Sequence, residues 1–69
     1  MDKLRTALNA YYDGIYSSRD VIYRADDMAD YMGTAGSEIV SIVNRFYNGA
    51  IGADDAVKLI DHHVNVVLP

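Results

Sequence analysis

Two adjacent apolar pairs, Ile39-Val40 and Ile42-Val43, constrain this chain more than any other feature. A half-buried strand alternates apolar and polar residues, and neighbouring pairs break that alternation. At about 100° per residue, Ile39, Ile42, Val43, Phe46 and Ala50 instead share one face of a helix. Val40, Tyr47 and Ile51 widen that face to roughly half the circumference, against the ~100° stripe of an ordinary surface helix. The stretch from Ser37 to Ile51 is therefore expected to hold a central helix, about residues 37–49, that touches two neighbours. Ser41, Asn44, Arg45 and Asn48 leave a narrow wet strip on its other side. Its β-branched residues lower helix propensity by only about a few tenths of a kcal/mol each, which burial overrides. Ser37 is the expected N-cap, Glu38 suits the positive helix end, and Asn48-Gly49 is a stop.

Such a helix needs partners, and 69 residues supply one domain to provide them. A chain this short buries only ~60% of its unfolded surface, so the core is small. Yet hydrophobic residues make up 51% of the sequence, too many for disorder. That surplus predicts a protein partner or self-association, and a homodimer is expected. The absence of cysteine excludes a disulfide framework and a thiolate metal site. No apolar run approaches the ~20 residues that cross a bilayer. The opening MDKLRTALN lacks the apolar core of a signal peptide, so the expectation is a cytoplasmic protein without membrane contact. Six basic residues scattered through a chain of net charge −4 argue against direct nucleic-acid binding.

Taken in order, the pattern predicts a first helix from Asp2 to about Tyr16, with Leu4, Ala7, Leu8, Tyr11 and Ile15 inward and Tyr12 at the edge. Gly14 marks its end or a bend. Ser17 and Asp20 have the spacing of a capping box for a second helix, from about Arg19 to Met32. Val21, Ala25, Met28 and Met32 line its expected buried face, flanked by Ile22 and Ala29, and Gly33 stops it. Thr34-Ala35-Gly36 reads as a short connection into the central helix. A fourth helix begins near Asp54 and Asp55, with Ala56, Val57, Leu59, Ile60, His63, Val64 and Val67 on its apolar side and Pro69 closing the tail. Short connections imply antiparallel neighbours. The expected architecture is a compact all-α bundle of four short helices.

Three features bear on function. Asp61-His62-His63 resembles the signature of the DHH phosphoesterases, whose Asp and His residues hold metal ions. That family uses a large α/β domain and further aspartate motifs on other strands, for which a 69-residue helical chain has no counterpart. Adjacent histidines on a helix point ~100° apart and do not share an ion, so the expectation is one outward and one inward histidine. His63 falls on the apolar face. It is either a core histidine bonded to a tyrosine or a carbonyl, or an interface histidine that couples binding to pH.

The second feature is a helix face of Tyr23, Asp26, Asp27 and Asp30. Asp is a poor helix former, and Asp26 and Asp30 repel at i, i+4 spacing. A basic partner relieves that cost, while the same residues as a solvated surface gain nothing from clustering. They follow a helix pattern and lack the glycine and terminal glutamate of a calcium loop. The third feature is the tyrosine set. Tyr16, Tyr23 and Tyr31 are expected to project outward, as in protein interfaces, where tyrosine is enriched.

No nucleophile–base pair, phosphate loop or metal cluster appears, and nothing implies a cofactor. The expected function is a small acidic protein-binding module, a regulator, inhibitor, immunity-type protein or adaptor, with Tyr16, Tyr23, Asp26, Asp27, Asp30 and Tyr31 as partner-binding residues. The competing expectation is a structural protein that assembles from identical copies.

Overall fold

A computed structural model of the chain describes residues 2–67, and the side chains of residues 3–67. Four helices follow one another: α1 (Asp2–Tyr12), α2 (Ser18–Ala29), α3 (Ala35–Tyr47) and α4 (Ala53–His62). A π-helical turn, His63–Val67, continues α4. No strand occurs among the described residues. The helices pack as a bundle around one apolar cluster. Leu4 and Leu8 enter it from α1, Ile22 and Ala25 from α2, Ile39, Ile42 and Val43 from α3, and Val57 and Ile60 from α4. α3 lies against α2 and α4, the two neighbours its apolar arc calls for, while α2 and α4 each touch all three other helices.

Local signals explain most of the boundaries. The Ser17 hydroxyl accepts from the Asp20 amide at 3.2 Å, and the Asp20 carboxylate accepts from the Ser17 amide at 3.0 Å. This reciprocal capping box satisfies two donors that a helix start otherwise leaves unpaired. Gly49 follows α3 with φ +76°, a conformation that costs other residues ~1–2 kcal/mol.

Other boundaries differ from the sequence expectation. α1 ends at Tyr12 rather than near Tyr16, because Gly14 takes φ +79° and turns the chain. Ile15 is therefore not inward but 71% exposed. α2 stops at Ala29, and its buried residues are Val21, Ile22, Ala25 and Ala29. Met28 and Met32 pack only at the margin of the core. α3 begins at Ala35, so Ser37 is inside its first turn rather than the cap, and Gly36 is a buried helical residue rather than part of a loop. Phe46 is half-buried and Val40, Tyr47 and Ala50 are exposed, so the covered arc of α3 is narrower than its apolar arc.

Polar contacts tie α1 to the end of the chain. The Tyr11 hydroxyl donates to Asp54 at 3.1 Å, and the Tyr12 hydroxyl donates to Asp61 at 2.8 Å. The Arg5 guanidinium donates to the Val64 carbonyl and to the Asn65 side chain, both at 3.3 Å. The π-turn thus has one of its carbonyls bonded from outside, and the neighbours His63 and Val64 are both buried in it. Val67, expected on the apolar side, is exposed. Leu68 and Pro69, the expected end of the tail, lie outside the described residues.

Candidate protein-binding site

Burial of one side of α2 fixes what its other side presents. Ile22, Ala25 and Ala29 sit at i, i+3 and i+7 and are enclosed by the neighbouring helices. Tyr23, Asp26, Asp27 and Asp30 are all exposed. Among the described residues none of the three aspartates forms an ion pair; the salt bridge that does form joins Arg45 to Glu38 within α3. Three carboxylates without a salt bridge among the described residues therefore stand within two turns of one helix, and each interaction among them is repulsive.

Tyr47, at the end of α3, extends this face. Its hydroxyl stays protonated above the usual tyrosine range, first through partial burial, then through the neighbouring charge of Asp26, with Tyr23, Asp27 and a hydrogen bond to Asp26 contributing. The sequence reading placed Tyr47 on the core side of α3. Its proximity to the aspartates depends on how α3 crosses α2, for which one helix's periodicity carries no signal.

Tyr31, just beyond α2, is 91% exposed. It lines a groove of about 280 Å³ with Lys3, Asp27, Met28 and Met32. Tyr16 is a correction. Its ring is half-buried against the core, and the Arg24 guanidinium stacks on it 4.3 Å from the centroid. Such cation–π contacts hold a ring in place, so Tyr16 is an element of the fold rather than an outward anchor.

The two histidines face different surroundings. His62 is exposed, whereas His63 is 8% exposed and its Nε2 lies 3.3 Å from the Ala35 carbonyl. A carbonyl only accepts, so Nε2 carries the proton and donates. No group of three His, Asp or Glu side chains converges among the described residues. A second groove, of about 260 Å³, runs between α3 and α4 and is lined by Glu38, Ile42, Leu59, His62, His63 and Val67. No described helix is long and apolar enough to cross a membrane.

No protein-family model, curated protein or solved structure matches this chain. The α2 face presents negative charge and phenol rings, with no salt bridge to its aspartates among the described residues and with Lys3 lining the same groove as Asp27.

Proposed function

We propose that this chain is a small acidic protein-binding module, a regulator, inhibitor, immunity-type protein or adaptor, that acts by stoichiometric binding of another protein. Tyr23, Asp26, Asp27 and Asp30 meet a basic surface on that partner, with Tyr31 and Tyr47 flanking the contact. Where the partner's basic surface normally grips nucleic acid, the aspartates occupy it as a charge mimic. The observation that carries this reading is the set of three carboxylates on one exposed helix face, without a salt bridge among the described residues. Attraction to a basic surface offsets their mutual repulsion, which no salt bridge relieves among the described residues. The proposed setting is the cytoplasm.

The test is a paired affinity capture from the native host. One bait is the wild type and the other carries Asp26→Asn, Asp27→Asn and Asp30→Asn. The reading expects at least one protein retained stoichiometrically by the wild type and lost with the triple variant. Identical retained sets remove this face from the function.

A second reading has its own observation. Val66 and Val67 are 61% and 59% exposed, close in the chain to the groove residues His62 and His63, and Val40 and Leu59 are also exposed. A structural protein assembling from identical copies covers such a surface in a homodimer. Sedimentation across a concentration series decides it: a monomer at all concentrations sets this reading aside.

A further inference from the structure

Asn48-Gly49, at the end of α3, carries a reaction of its own. Of the four asparagines, Asn48 alone precedes a glycine. Where the following residue has no side chain, its backbone nitrogen reaches the asparagine amide carbon unhindered, and a five-membered imide forms in water without an enzyme. Asn48 and Gly49 are both exposed, so solvent reaches them.

The folded geometry holds the reacting atoms apart. Ring closure requires the Gly49 nitrogen to eclipse Cβ of Asn48 about the Cα–C bond. Asn48 has ψ −1°, so that nitrogen eclipses the Asn48 backbone nitrogen instead and is rotated well away from Cβ. Hydrogen bonds fix this conformation. The Gly49 N–H donates to the Phe46 carbonyl at 3.0 Å and the Ala50 N–H to the Arg45 carbonyl at 2.9 Å, the paired bonds of a Schellman cap, with Gly49 at φ +76°. The attacking nitrogen must also lose the proton that it gives to Phe46. Phe46 before the cap and Ile51 after it pack against the core, so the segment between them is held at both ends.

We propose that Asn48-Gly49 is a self-modification site gated by the α3 cap: the closed cap blocks imide formation, and an opened cap exposes Asn48 to irreversible conversion into aspartate and isoaspartate. The step balances with water alone. Hydroxide takes the Gly49 amide proton, and the nitrogen forms a bond to Cγ of Asn48. The Cγ–Nδ2 bond breaks, and Nδ2 takes a proton from water and leaves as ammonia. Hydrolysis by one water then opens the imide. Cleavage at Cγ gives aspartate and cleavage at the main-chain carbonyl gives isoaspartate, with no oxidation or reduction. Either product weakens the cap. A carboxylate at position 48 stands at the negative end of α3, where the helix dipole opposes it. Isoaspartate also adds a methylene to the main chain, which shifts the Gly49 and Ala50 donors off the Phe46 and Arg45 carbonyls.

The test incubates the full chain at mildly alkaline pH, folded in buffer and unfolded in concentrated urea, and follows each asparagine by peptide mass mapping. Conversion at Asn48 is expected to be at least about tenfold slower in the folded protein, the population ratio of an opening that costs ~1.4 kcal/mol. In urea, Asn48 is expected to convert faster than Asn9, Asn44 and Asn65. Hydrogen exchange on the folded protein measures cap opening independently. The Gly49 and Ala50 amides are expected to be protected by about the factor that slows conversion. Equal conversion of Asn48 in buffer and in urea overturns the gate, as does slowed conversion beside an unprotected Gly49 amide. Conversion in urea no faster at Asn48 than at the other asparagines overturns the site itself.

Discussion

Gly36, in the first turn of α3, lies directly against the backbone of Ala29 in α2. A Cβ placed on Gly36 overlaps the Ala29 carbonyl oxygen and comes within 2.9 Å of its carbonyl carbon. Backbone that close cannot swing aside as a flexible side chain does. The two small residues set how tightly α3 crosses α2.

Gly36→Ala accordingly has two opposed effects. Alanine favours a helix over glycine by about 1 kcal/mol in a helix interior, and less in a first turn. Overpacking a closed contact costs about 1–3 kcal/mol, and here the obstacle is main chain. The steric term wins. In a domain of this size each kcal/mol lowers Tm by ~4–8 °C, so thermal unfolding should show a clear drop for Gly36→Ala. An unchanged Tm would mean that α3 crosses α2 elsewhere.

The Ser17–Asp20 capping box predicts a loss of about 0.5–2 kcal/mol for Ser17→Ala, read by denaturant unfolding. Its pH dependence has a definite sign. The bonds from the Ser17 amide and hydroxyl hold the Asp20 carboxyl below the ordinary value of 3.8. The contribution is therefore complete above 3.8 and is lost as pH falls through the lowered folded value. Asp20→Asn removes this acid limb.

The α1–α4 latches act at the other end of the scale. Tyr12 is held above the ordinary value of 10.0 by its bond to Asp61, then by burial. Tyr11 is raised by its bond to Asp54, then by burial. Both phenols favour folding while protonated. Their stabilisation is whole below pH 10.0 and disappears as pH rises through the raised folded values. Tyr12→Phe is expected to flatten that alkaline limb in thermal melts followed against pH. Tyr47, also raised, leaves a residual limb, so an alkaline limb undiminished in the Tyr11→Phe, Tyr12→Phe double variant would show that these latches do not form in solution.

Asp26→Asn, Asp27→Asn and Asp30→Asn together remove no buried atom and relieve like-charge repulsion of about 0.2–0.5 kcal/mol per pair. The triple variant should melt at or slightly above the wild-type Tm. A large loss of stability would make the aspartates part of the fold rather than of a binding face.

How much of this was legible in the sequence depended on whether a signal was local. The capping box at Ser17 and Asp20, the stops at Gly14 and Gly49, and the inward Leu4, Leu8, Ile39, Ile42 and Val43 all follow from residues within a turn of one another. Failures came where two helices meet. Gly36 looks like loop until Ala29 is seen pressing on it. Tyr16 looks outward until Arg24 stacks on it, and Tyr47 looks inward although it borders Asp26. Of the candidate site, the α2 stripe was readable because one helix carries it. The Met28–Met32 groove was not, because α1 supplies its other wall through Lys3.

The central claim, that the α2 aspartates steer this chain onto a basic partner, is tested most directly by association kinetics. The protein retained by the wild-type bait is mixed with wild type and triple-Asn variant at low ionic strength and at physiological salt, where charges act over only ~8 Å. The account predicts fast association of the wild type that slows steeply with salt, and slower, nearly salt-independent association of the variant. Equal rates for the two proteins at both salts would contradict it.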